Sequence, residues 1–191
     1  YILYIFNKYK KNNDKVNDEL LKLEKFIIRR MITKGETKSY NKLCKDFIDN
    51  ENLLELEIVK ITDDEIIDGI EIISNKNAAL LLFWIELCRR QQDNKQSIKG
   101  LKFNYSLEHI MPQKWEEFWH SVPVKDNKGN ILIDELAKKV RNSKIYSIGN
   151  MTLLNTSLNI SLRNYNYEIK INGDGRKKGI RHYASLSITN D

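Results

Sequence analysis

The stretch Tyr105-Ser-Leu-Glu-His-Ile-Met-Pro-Gln113 sets an acid beside an imidazole, Glu108-His109, and the stretch Ile148–Asn159 carries two amides, Asn150 and Asn159. Carboxylate and amide oxygens are hard ligands that match Mg²⁺ or Mn²⁺. A neutral histidine, with an ordinary pKa of about 6.5, can take a proton from water at physiological pH. These are the parts for metal-assisted phosphodiester hydrolysis: a water made nucleophilic, charge neutralised on the phosphoryl oxygens, and a departing alkoxide stabilised. Each residue alone is a weak signal. Acid–histidine dipeptides are commonly surface pairs, Asn150 after Gly149 suits a turn, and Asn159 suits a helix surface or cap. The signal lies in their arriving together and in order. His120 and His182 have no such partners and read as structural or exposed.

The elements that must position them are of two styles. Residues 1–100 read as mostly helical. Leu20, Leu23, Ile27 and Met31 recur at helical spacing, and Tyr40, Leu43, Cys44, Phe47 and Ile48 form another helical face. Thr62-Asp-Asp-Glu65 matches a capping box, and Ala78–Cys88 is an apolar run expected to form a buried helix. A charged connector is expected over Lys8–Asp18 and a polar one over Gln91–Gly100. After Gly100 the pattern changes. Phe103, Tyr105, Leu107 and His109 alternate as in a strand that Pro112 ends, and Ile145–Leu154 reads as a second strand. A short helix is expected over Ile131–Arg141. From Thr156 a helix is expected, with Asn159, Arg163, Asn166 and Lys170 in line along one side, and Tyr183–Thr189 reads as a final strand. On a strand, Glu108 and His109 face opposite ways, so a shared site requires a twist or a strand end there.

Charge follows the same division. Of the net +6, residues 101–191 hold 14 Lys/Arg against 9 Asp/Glu, whereas residues 1–100 hold 18 against 17. The half that carries Glu108-His109 therefore holds nearly all the excess positive charge, which suits a polyanion such as nucleic acid. Cys44 and Cys88 stand far apart and outside any C-x-x-C pair, so no zinc and no disulfide framework is expected. With no signal segment and no apolar run long enough to cross a bilayer, a reducing cytoplasm is the expected location.

The strings Ser106–Gln113, Ile148–Leu154 and Leu158-Asn159 resemble the HNH nuclease domain at the C-terminus of GmrSD-type modification-dependent (type IV) restriction endonucleases, and Phe26–Arg30 and Leu80–Glu86 are similar to the helical segment before it. The phosphorothioation-linked anti-phage nucleases of the SspE type have a related architecture. The resemblance implies an α+β chain, with a helical part over 1–100 and a ββα-metal nuclease domain over 101–191. It implies Glu108 and Asn159 as metal ligands for one Mg²⁺ or Mn²⁺, His109 as general base, and Asn150 as a brace for the loop of His109. Lys170, and more weakly Arg163 and Arg176, would contact phosphates. The implied reaction leaves a 5′-phosphate and a 3′-hydroxyl on DNA, phage duplex DNA being the expected target. The long connection from Trp115 to Ser147 departs from a tight hairpin. The resemblance also implies an N-terminal ParB-like nucleotide-hydrolysing and sensing part as a partner; a second copy of the chain is an open possibility. A non-catalytic DNA-binding or interdomain-coupling module, or an RNA-directed nuclease, would share much of this pattern.

Overall fold

The computed structural model describes residues 1–35, 37–93, 98 and 100–190, and the connector expected over Gln91–Gly100 falls mostly outside them. The chain divides into two compact units, Tyr1–Ile70 and Glu71–Asp191. The apolar helix expected at Ala78–Cys88, grouped above with the helical part, belongs by its packing to the second unit.

The first unit is helical: α1 (Ile2–Tyr9), α2 (Asn13–Ile32), α3 (Tyr40–Asp49), α4 (Leu53–Lys60) and most of α5 (Asp63–Glu71). The charged connector expected over Lys8–Asp18 shrinks to a few residues because the Asn12 side chain accepts a hydrogen bond from Lys15 N and starts α2 early. The capping box forms: Thr62 Oγ1 accepts from Glu65 N at 3.2 Å while Glu65 Oε2 accepts from Thr62 N at 2.8 Å. Leu23, Phe26, Phe47, Leu54 and Ile58 make the core. Phe26 and Phe47 meet edge to face, with centroids 5.3 Å apart.

The second unit is built on a two-stranded antiparallel ribbon. β1 (Tyr105–His109) pairs with β4 (Met151–Asn155), with Glu108 opposite Thr152 and His109 opposite Met151. The long α6 (Asn75–Gln92), the short α8 (Thr156–Leu162) and the terminal α11 (Ser187–Asn190) all pack on β4, so its residues Met151 to Leu154 are buried without alternation. Leu154, Leu158, Leu162 and Ile180 form one core cluster.

The connection between β1 and β4 holds a small ribbon, β2 (Val124–Lys125) with β3 (Ile131–Leu132), and α7 (Asp134–Ile145). Trp115, Trp119 and Ile145 are buried together, with Ile110 and Met111 against them. Trp115 Nε1 donates to Asn142 Oδ1 at 2.9 Å and Trp119 Nε1 to the Tyr165 carbonyl at 3.1 Å. The insertion thus carries its own core, and that core is packed against the residues that follow His109.

The helix expected over Ile131–Arg141 starts at Asp134 and runs on to Ile145, so the strand expected over Ile145–Leu154 begins only at Met151, after a 3₁₀ turn over Ile148–Asn150. Two further expectations fail. The helix from Thr156 does not run on to Lys170. Arg163 takes φ 44° and ψ −140°, a conformation that costs a residue with a Cβ about 1–3 kcal/mol and ends α8. Asn166 then caps a new helix, α9 (Tyr167–Asn172), by accepting from Ile169 N at 3.0 Å. Asn159 and Lys170 therefore lie on different helices. The final strand expected over Tyr183–Thr189 is instead the end of α10 (Ile180–Tyr183), a link and α11.

The reason lies in Glu86 of α6. Its carboxylate is fully buried and accepts from Ser187 Oγ at 2.7 Å, from Ile188 N at 3.1 Å and from Arg90 Nε at 2.5 Å. It thereby supplies a side-chain acceptor for one of the otherwise unpaired amides at the start of α11. Burial pushes the Glu86 carboxyl up, but these donors outweigh burial and hold it below its ordinary value. A group depressed on folding stabilises the fold above the ordinary carboxylate range, and that contribution is lost as the pH falls through the lowered value. Glu86→Ala, which removes the acceptor of Ser187 Oγ, Ile188 N and Arg90 Nε at once, is expected to cost about 3 kcal/mol in urea unfolding. It should also flatten the acid limb of stability against pH.

Candidate active site

Three side chains from three later elements converge on β1 and its extension. The first is Asn150, in the 3₁₀ turn Ile148–Asn150 that leads into β4. Its Oδ1 accepts from Met111 N at 2.8 Å, while its Nδ2 donates to the Met111 carbonyl at 2.9 Å and to the Ile145 carbonyl at 3.0 Å. Its own carbonyl accepts from Ile110 N at 2.9 Å. The chain just after His109 is therefore clamped to the entry of β4 and the end of α7.

The second is Asn159 on α8. Its Nδ2 donates to Ser106 Oγ at 3.0 Å and to the Leu107 carbonyl at 2.9 Å. Both bonds use the amide nitrogen, so Oδ1 is the atom left over for another partner. The third is Lys170 on α9, fully buried, whose Nζ donates to Glu108 Oε1 at 2.5 Å and to the His109 carbonyl at 2.7 Å.

Glu108 is only 7 % exposed. Burial pushes its carboxyl up, with the Lys170 ammonium and the His109 backbone N–H opposing; burial also pushes the Lys170 amine down, with Glu108 opposing. The desolvation of two charges is offset only because they meet each other and the His109 carbonyl. Lys170 was expected at a phosphate. Its enclosure places it behind the site instead, where it fixes the Glu108 carboxylate and the backbone at His109.

His109 ends β1, and its Nε2 is buried with no hydrogen-bond partner among the described residues. Its imidazole is held below its ordinary pKa, first by burial and then by the Lys170 charge, so the neutral form dominates. Tyr146, half exposed at the end of α7, packs edge to face on the imidazole with centroids 6.0 Å apart. Nothing in the sequence singles out Tyr146, because a single aromatic between Ile145 and Ser147 carries no periodic or motif signal. Arg163 and Arg176 are exposed and do not join the cluster around β1.

Glu108 and Asn159 carry oxygen donors of the kind a hard divalent cation takes, with Glu108 Oε1 already accepting from Lys170. Together they offer one carboxylate and one amide oxygen, and among the described residues no group of three or more His, Cys, Asp or Glu is placed to hold a metal. Two protein oxygens leave coordination positions for water and phosphate. A closed zinc centre would need about four protein ligands.

The ion pair has a consequence for stability. Lys170→Met leaves Glu108 buried and unpaired, and is expected to destabilise the chain by about 3 kcal/mol in denaturant titration. Glu108→Gln combined with Lys170→Met should recover much of that loss. Strict additivity in the double-mutant cycle would show that the two are not coupled.

No curated protein and no solved structure matches the chain. The family model described as GmrSD restriction endonucleases, C-terminal domain, matches residues 60–188, more than half of the chain and nearly all of the second unit. The chain belongs to the C-terminal domain family of the GmrSD restriction endonucleases.

Proposed function

We propose that the second unit is a metal-dependent DNA endonuclease of the ββα-metal (HNH) class, serving a modification-dependent restriction protein. The family supports a nuclease role in restriction, with DNA as the substrate. The observation that carries the finer reading is His109: a neutral imidazole at a strand end, with Nε2 buried and unpartnered. A structural histidine in a core ordinarily has both ring nitrogens satisfied.

In this reading His109 Nε2 removes a proton from the attacking water. The water oxygen bonds to phosphorus, the bond from phosphorus to the 3′ oxygen breaks, and the departing 3′ oxygen takes a proton from solvent water, leaving a 5′-phosphate and a 3′-hydroxyl. Glu108 and Asn159 Oδ1 are the residues that would hold a divalent cation, which supplies charge neutralisation at the phosphoryl and leaving oxygens when bound. Asn159 is aimed for this by its two Nδ2 bonds to β1. Lys170 and Asn150 are positioning residues. Lys170 fixes the carboxylate and the His109 carbonyl, and Asn150 fixes residues 110 and 111.

Supercoiled plasmid incubated with Mg²⁺, with Mn²⁺ or with EDTA tests this. Nicking is expected with metal and not with EDTA, and His109→Ala should lower it by at least 100-fold while DNA binding persists. Binding without cleavage by the wild-type chain would favour a binding or coupling module instead. The depressed imidazole sets a pH profile as well. At saturating metal the rate should hold level as the pH falls through about 6.5, the ordinary histidine value, and drop only below it.

His109 also relies on Tyr146 for orientation, since no hydrogen bond fixes its Nε2. Tyr146→Ala is expected to lower single-turnover cleavage about tenfold. Tyr146→Phe, which keeps the ring, should retain it; equal losses would assign the role to the hydroxyl.

A further inference from the structure

A cleft of about 540 Å³ lies within the second unit, between residues 71–75, which lead into α6, and the end of α7. Ile73 is buried there, whereas Ile72 and Tyr146 stay 61 % and 47 % exposed. Two large apolar side chains thus face water across a concave surface, where covering them is favourable.

Polar groups stand among them. Ser143 Oγ donates to the Val140 carbonyl at 2.8 Å and keeps its lone pairs as acceptors, and Asn75 offers an exposed amide with both donor and acceptor atoms. Ser74 Oγ already accepts from Asn77 N at 3.3 Å, so the start of α6 is capped by its own side chain. Among the described residues lining the cleft, Glu71 alone carries a charge, and Lys144 Nζ meets its carboxylate at 3.4 Å. A wall with a carboxylate and no cation does not attract a phosphate. It suits a flat, neutral, largely apolar ring with hydrogen-bonding atoms on its edge. That is the chemistry of a nucleobase.

Tyr146 joins the cleft to the candidate chemistry. The same ring lines the cleft and packs on His109, with centroids 6.0 Å apart. A base stacked on it at roughly 3.4 Å would lie at most about 10 Å from the imidazole, about three nucleotide steps along a strand.

We propose that this cleft receives an unstacked base of the DNA close to the scissile phosphate, with Tyr146 as its stacking platform and Asn75 and Ser143 at its edge. The inference rests on the reading of the chain as acting on DNA at His109. A base must leave the helix to enter, and a mismatched base does so most easily. Binding and cutting should therefore favour places where a base is already unpaired.

The test compares duplexes of about 12 base pairs, fully paired or with one central mismatch, so that few registers compete. Affinity for the wild-type chain is read by fluorescence anisotropy in EDTA, where no cleavage intervenes, and cut positions are read on denaturing gels with Mg²⁺. The mismatched duplex is expected to bind at least about fivefold tighter, the order that stacking of one base on an aromatic ring provides. Cutting should strengthen within about three nucleotides of the mismatch. Ser143→Trp and Ile72→Trp fill the cleft from opposite walls and leave Tyr146 and His109 in place. Each should abolish both preferences while the paired duplex binds as before. Circular dichroism melts check that the variants fold, which substitutions at exposed positions should allow.

Equal binding of the two duplexes by the wild type would overturn the proposal. A mismatch preference that survives in both folded variants would do so too, since it would belong to the flexibility of the DNA. Binding of a fluorescent free adenine nucleotide, lost in both variants and unaccompanied by any mismatch preference, would assign the cleft to a free nucleotide instead of the strand. The two readings fail separately. A preference lost in the variants, without any metal-dependent cutting, would sink the nuclease and keep the cleft; metal-dependent cutting with no preference would do the reverse.

Discussion

The pairing of β1 with β4 is the constraint on which the second unit depends. It brings residues 105–109 against residues 151–155, across a connection that holds a ribbon and a helix of its own. Asn150 precedes β4 by one residue and Asn159 follows it by four, so the register of this one ladder sets where both amides arrive. A slip by one residue would turn Glu108 away from Lys170 and move Asn150 off Met111. Four consecutive buried residues in β4 make such a slip costly, since every alternative register exposes apolar surface or buries a polar side chain.

The Glu108–Lys170 pair shows the tension that such a site carries. Two charges enclosed together are no efficient source of stability, because their desolvation roughly cancels their attraction. What they contribute is placement. Lys170 has three protons to give, and one reaches Glu108 while another reaches the His109 carbonyl. One side chain thus fixes both members of the acid–imidazole dipeptide, which on a plain strand would diverge. An arginine there would need more room and a planar set of acceptors that this enclosed corner does not offer.

Much of this was legible in the sequence because it was local. The Thr62–Glu65 box, the alternation through Tyr105–His109 and the paired strings around Glu108 and Asn150 all state their structure within a few residues. The break at Arg163 was not legible. Leu158, Leu162, Tyr165 and Ile169 continue a helical spacing straight across it, and periodicity cannot register a residue held at positive φ against its preference. The burial of Lys170 was hidden for a related reason: a lysine on an amphipathic pattern reads as solvated, and only the partner supplied by β1 makes its enclosure tolerable. Tyr146 and Glu86 act through contacts with residues 37 and about 100 positions away. The division between Ile70 and Glu71 followed packing rather than composition, since α6 is helical like its predecessors but lies on the ribbon.

The identity of residue 150 then follows from hydrogen-bond inventory alone. That position must accept one backbone N–H and donate to two carbonyls at once, in the small space between the end of α7 and the turn after His109. An aspartate would meet the N–H but set its second oxygen against two carbonyls, a serine has one proton to give, and a glutamine carries an extra methylene. Without this clamp, β1 would end in a connection whose closure entropy is opposed by the cluster of Trp115, Trp119 and Ile145 and by the hydrogen bonds of the two indoles. Strand ends fray first, and His109 is the last residue of the strand. An imidazole whose Nε2 makes no hydrogen bond of its own depends on the rigidity of the backbone beneath it. The amide of Asn150 supplies that rigidity, and Asn159, chemically the same side chain, is anchored to β1 through Nδ2 alone.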